Sequence, residues 1–158
     1  MKINKTNAMR RLDAAKIDYK VMEYEVDEND LSGTHIAEQI GLDCDMVFKT
    51  LVAKGDKSGV VVFCIPVDKE IDLKAAATAT KNKRVELVAV KELLGLTGYI
   101  RGGCSPIGMK KNYPVYIDIT AKDHPEITVS AGVRGAQLLI SSEKLISFVG
   151  ATLSALTY

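Results

Sequence analysis

The sequence predicts a single α+β domain over residues 1–158, and three observations carry that prediction. Two strand-like stretches, 47–54 and 59–66, flank Gly55-Asp56-Lys57-Ser58 as the arms of a hairpin. Short helical patterns interleave with strands in the first half, whereas strands outnumber helices in the second. The chain is 158 residues long, 47% hydrophobic and 26% charged, which suits one buried core built without disulfides or metals. No repeat, low-complexity stretch or linker divides it.

The elements follow in order. Ala8, Met9, Leu12 and Ala15 recur at helical spacing within 4–16, with Thr6 as cap. A strand is expected over 19–25. Thr34 opens a short helix that Gly41 terminates, and 43–46 forms a further helical turn. The second hairpin arm, GVVVFCI, is apolar on both faces and belongs in the middle of a sheet. Asp72 caps LKAAATAT; a strand at 85–88 and a helix at 91–96 follow. Strands are expected at 114–120, 127–130 and 136–140, the last two joined by the turn AGVRG. Ser141 or Ser142 caps EKLISFV, and a β-like tail ends the chain.

Composition restricts function. A formal net charge of +1 excludes binding nucleic acid by bulk charge alone, yet allows a local basic patch. Cys44, Cys64 and Cys104 are odd in number and widely spaced, so neither a disulfide framework nor a zinc site is expected. The charged amphipathic start has no apolar signal region, and no apolar run is long enough to span a membrane. The chain therefore reads as cytoplasmic, with no membrane, metal or cofactor expected.

Lys49 is the most informative single residue. Period two places Val47, Lys49, Leu51 and Ala53 on one strand face and Phe48, Thr50 and Val52 on the other. Both faces are mainly apolar, so the lysine either reaches the strand end, guarding an edge, or points into a polar cavity. In a cavity it would offer a fixed positive charge to a phosphate or carbonyl oxygen.

Two glycine-rich segments accompany it. The loop GYIRGGCSPIGMKK holds four glycines between Gly98 and Gly108, which suits either a surface loop or a backbone nest for an anion. Gly103-x4-Gly108 imitates a phosphate-binding loop, but Met109 interrupts the Gly-Lys step and no Ser or Thr follows Lys110. Ser130-Ala131-Gly132-Val133-Arg134-Gly135 is either a plain turn or a second wall of the same cavity. Arg101, Lys110, Lys111 and Arg134 make an anionic partner attractive. His35 and His124 read as surface residues, Cys104 as a small semi-buried side chain, and Asp118 and Asp123 as solvated strand-end and loop carboxylates. No nucleophile is evident.

Taken in order, Phe48-Lys49-Thr50-Leu51, Asp72-Leu73-Lys74, Gly98 through Gly108, and Ser130 through Gly135 resemble the YbaK/EbsC family. These are free-standing relatives of the editing domain of bacterial prolyl-tRNA synthetases. The resemblance runs from Tyr24 to the last helix and implies a barrel-like mixed sheet. It implies a deacylase acting in trans on the acceptor end of Cys-tRNA(Pro), or Cys-tRNA(Cys), beside prolyl-tRNA synthetase. It also assigns residues: Lys49, Gly102 and Gly103 to catalysis, and Tyr24, Ser32, Thr50, Ser105, Pro106, Ile107, Gly108, Ser130, Gly132 and Arg134 to substrate binding. The implied mechanism lets the substrate's own thiol attack its ester, which fits the missing nucleophile. Ser32 stands where the family often has an aromatic residue, and Gln137 where it often has an acid. A binding module that has lost turnover and an Ala-tRNA(Pro) editor using water are the alternatives.

Overall fold

A computed structural model describes residues 4–158. Helix α1 (Asn7–Ala14) starts at Thr6, whose hydroxyl accepts from the Met9 N–H, and buries Ala8, Met9 and Leu12. Strand β1 (Tyr19–Glu23) leads to α2 (Gly33–Ile40), capped by Ser32 and ended by Gly41 in the left-handed conformation. After a 3-10 turn at Cys44–Met46 come β2 (Phe48–Gly55) and β3 (Gly59–Pro66). Helix α3 (Leu73–Thr80) starts on Asp72, which accepts from the Lys74 and Ala75 amides. Such a cap contributes about 1 kcal/mol.

Strand β4 (Val85–Leu87) and α4 (Val90–Thr97) precede the glycine loop. Strand β5 (Val115–Asp118), a 3-10 segment at Ile119–Asp123, and the hairpin β6 (Glu126–Ser130) and β7 (Ala136–Ser141) follow. Helix α5 (Ser142–Val149), capped by Ser141, and the short β8 (Thr152–Ser154) complete the fold.

The strands form two sheets. One has the order β1-β7-β6, all antiparallel; the other runs β4-β2-β3-β5-β8 with parallel pairings of β5 to β3 and β8. A single parallel bridge, Val47 to Thr128, links β6 to the start of β2. The expected barrel is therefore curved but not closed. β2 gives that same edge to β4 from Ala53 onward, and among the described residues β6 bridges only to Val47, just ahead of the strand.

β3 lies centrally, as its two apolar faces require, with Val61 through Ile65 fully buried. Each such aliphatic or aromatic side chain contributes roughly 1.5–3 kcal/mol by burial. On one face of β2, Phe48 and Val52 join the main core, which also holds Ile127, Val129, Leu138, Ile140 and Leu145. On the other, Ala53 and Leu51 pack beneath Ala76 and Ala77 of α3. Val47, on that second face, packs against Ala37 of α2 and Val67. Asp118 departs from its expected solvated setting. It is 2% exposed and accepts from the Leu156 amide and from Thr120, fastening the C-terminal tail.

Candidate functional site

The Val47–Thr128 bridge sets the geometry of the site. The bridge is parallel, so two residues further along each strand place Lys49 and Ser130 on the same side of the junction. That side is the outer one, because Ile127, Val129 and Leu138 turn inward to the core. β6–β7 pairing puts Gln137 opposite Ser130 on this outer side, and the Thr128 hydroxyl donates to Gln137 Oε1 at 3.1 Å. Lys49 thus stands beside a polar strip of Thr128, Ser130 and Gln137 rather than at a solvated edge. Its ammonium pKa is lowered by burial, partly offset by the nearby Glu70 and Asp68 carboxylates. A cation held this way lacks a full hydration shell and is ready to meet an anionic or carbonyl oxygen.

The two glycine segments meet. Arg134 Nε donates to the Arg101 carbonyl at 2.8 Å. A Cβ on Gly103 would lie 3.1–3.2 Å from backbone atoms of Val133 and Arg134, so a side chain there would force the segments apart. Gly132, at φ +98°, leaves room for the Tyr99 ring, and the Tyr99 hydroxyl donates to the Ile107 carbonyl at 2.5 Å. Ser130 Oγ accepts from the Gly132 amide at 3.1 Å, closing a small turn.

A hollow opens where these segments meet the end of β1 and α2. Tyr24, Asp27, Asp30, His35, Gly102 and Arg134 line it. The Tyr24 amide donates to the Gly135 carbonyl, which fixes its position against the second glycine segment. α2 spans both parts of the site: His35 and Ile36 line the hollow, and Ala37 packs on Val47. Gly33 permits this placement, since a Cβ there would lie 2.4 Å from Val67.

Other expected site residues sit differently. Thr50 points away from the Lys49 side, with its hydroxyl 3.7 Å from Cys64 Sγ, because adjacent strand residues face opposite ways. Ser105 and Ile107 are buried and shape the loop from within, the Ile107 amide donating to Ser105 Oγ. The Gly103 amide donates to the Ile100 carbonyl, so it closes a turn instead of facing a ligand. Among the described residues the Gly102, Cys104 and Ser105 amides donate to no protein acceptor. Ser32 is an exposed helix cap, held by Asp30 and receiving the His35 amide. Pro106 and Gly108 lie at the loop's far wall, away from the hollow.

His35, expected at the surface, keeps a third of its side chain exposed while lining the hollow, with its Nδ1 3.9 Å from Asp30 Oδ2. The protein's thiols are poor nucleophiles: burial pushes Cys64 up to about 12 and Cys104 up to about 11. Among the described residues, no group of three or more His, Cys, Asp or Glu side chains is placed to hold a metal ion, and no helix is long and apolar enough to cross a membrane.

Residues 32–148 match the family model of the aminoacyl-tRNA editing domain. Over 153 residues the chain is 45% identical to EbsC of Enterococcus faecalis, a proposed Cys-tRNA(Pro)/Cys-tRNA(Cys) deacylase. The match covers 97% of this chain and 93% of that protein. The fold superposes on the crystal structure of a proposed trans-editing enzyme for prolyl-tRNA synthetase, with a TM-score of 0.83 and 22% identity over 96% of this chain and 95% of that one. It also superposes on hypothetical protein APE2540, with a TM-score of 0.87 and 20% identity over 97% and 100%.

Proposed function

The chain belongs to the aminoacyl-tRNA editing domain family, and on that premise we propose that it releases cysteine from Cys-tRNA(Pro), or Cys-tRNA(Cys), in the cytoplasm, as one deacylase domain over residues 1–158. The observation that carries this reading is the placement of Lys49 and Ser130 on one outer face beside the joined glycine segments. It supports a cradle for the charged acceptor end of tRNA.

In the chemistry we propose, the substrate's thiol sulfur forms a bond to its own ester carbonyl carbon. The tetrahedral intermediate then expels the ribose oxygen of the terminal adenosine, which takes up the thiol proton. The product is a cyclic thiolactone that water later opens. The protein supplies no nucleophile, in keeping with its neutral, buried Cys64 and Cys104. Its work is to hold an attack geometry, an effect that reaches roughly 7–11 kcal/mol in favourable intramolecular reactions. Lys49 offers positive charge to the ester or terminal phosphate, and the Gly102 amide offers a donor to the carbonyl oxygen. Tyr24, Ser130 and Arg134 orient the aminoacyl end.

A second reading, release by water, is favoured by His35, which shares the hollow with Tyr24 and Arg134. The two separate in one assay. Cys-tRNA(Pro), Ser-tRNA(Pro) and Ala-tRNA(Pro) are incubated with the protein, with and without prolyl-tRNA synthetase. Fast release of cysteine with slow release of serine supports thiol attack. Equal rates favour water, and no release from any substrate returns the protein to a binding role.

A further inference from the structure

Behind the glycine loop lies a second groove, of roughly 470 Å³, that the reaction described above does not use. Its floor is the loop stretch 106–109, the reverse side of the segment that begins at Gly102. Its walls are α1 and α5. Arg11 and Lys111 stand on it with the polar Asn112 and Ser147, and Phe148 exposes 37% of its surface there. Among the described residues no carboxylate lines it. In a chain of 21 basic and 20 acidic residues, a groove holding two cations and no acid is a local separation of charge. An exposed aromatic ring in a groove that also holds two cations offers a stacking platform to an unpaired base, and the cations suit neighbouring phosphates.

Resting on the proposed deacylase reading, we infer that this groove docks the RNA strand of the tRNA acceptor end, with Arg11 and Lys111 on phosphates and Phe148 under one unstacked base. The placement has a direct consequence. The groove and the hollow lie on one loop, so a strand held at 106–109 has only that loop to cross to reach the hollow at Gly102.

The test measures binding of unacylated tRNA(Pro) across a range of salt concentrations. Arg11→Ala with Lys111→Ala is expected to weaken binding at least tenfold and to reduce the salt slope by about 1.5, the share of two phosphate contacts. Phe148→Ala is expected to weaken binding about tenfold with the salt slope unchanged, and Phe148→Tyr to restore it. Release of cysteine from an aminoacylated CCA trinucleotide, too short to fill the groove, should be unaffected by Arg11→Ala with Lys111→Ala. Lys111→Gln alone, at an exposed position, serves where the double variant does not fold. Wild-type affinity and salt slope in the folded variants would overturn the groove while leaving the deacylase reading intact, as would absence of tRNA binding in a wild-type protein that still releases cysteine from the trinucleotide. Groove-dependent binding without release from any charged tRNA would leave the groove standing and sink the deacylase instead.

Discussion

Val47 and Thr128 form the one bridge between the two sheets among the described residues, and through it the position of Lys49 is fixed relative to Ser130. Neither bridge residue carries chemistry. Their pairing nevertheless decides which way Lys49 points, because a shift of one residue in either strand would turn the lysine inward against Ile127 and Val129. The first prediction follows from that placement. Lys49→Ala should lower release of cysteine from Cys-tRNA(Pro) by about 10²-fold or more, the loss expected when a group that stabilises developing charge is removed. Thermal unfolding should be unchanged or slightly raised, since a half-buried cation is gone. Near-normal release by a folded Lys49→Ala protein would remove the residue from the mechanism.

Lys49 also leaves a signature in the pH dependence of stability. Burial lowers its folded-state pKa below the ordinary 10.5. In the alkaline interval between the two values the unfolded chain binds the proton and the folded chain does not, so stability rises with pH there. Comparing wild type with Lys49→Gln by urea unfolding at increasing alkaline pH should show the gain in wild type alone.

The buried thiols act in the opposite sense. An exposed thiol ionises near 9.0, whereas burial holds Cys64 and Cys104 neutral until about 12 and about 11. Their contribution is fully present below pH 9 and is lost as pH rises toward those values, because the unfolded chain ionises first. Replacing both by alanine should flatten that decline. In native wild type at pH 8, an alkylating reagent should label the half-buried Cys44 first and leave the other two untouched until the protein opens.

The fold was largely legible because its signals are local. Thr6, Asp72 and Gly41 cap the helices they were expected to cap, and the apolar run of β3 does occupy the middle of its sheet. The site was legible only in part. Period two alone placed Lys49 opposite Thr50, but the contact of Gly103 with Val133, some 30 residues on, depends on backbone packing that no local pattern encodes. The approach of α2 to the hollow was hidden for a related reason: Gly33 packs against Val67, a contact between distant parts of the chain.

The meeting of the glycine segments can be tested apart from Lys49. Gly103→Ala places a methyl 3.1–3.2 Å from the Val133–Arg134 backbone, which must move to accept it. Gly103 has no left-handed backbone requirement, so the effect is steric rather than conformational. Release should fall at least tenfold and the fold should lose about 1–3 kcal/mol, the usual cost of overpacking. A Lys49-independent check is the Arg134 to Arg101 hydrogen bond. Arg134→Lys, which keeps charge but not the guanidinium geometry, should weaken activity in the same direction and by less.

The last prediction concerns α2, the element that spans both parts of the site. Gly33 is its first residue, and a Cβ there would sit 2.4–2.5 Å from the Val67 side chain, too close for that branched group to yield without the helix moving. Gly33→Ala should therefore push the start of α2 outward and carry His35 from its place beside Asp30. If His35 or the closeness of α2 matters to the aminoacyl end, release slows with the binding of unacylated tRNA unchanged, since the helix lies away from the groove behind the glycine loop. Pairing Gly33→Ala with Val67→Ala opens the space the methyl needs and should recover most of the lost activity. Failure of that rescue, with both proteins folded, would show that α2 is held by something other than the Gly33–Val67 contact.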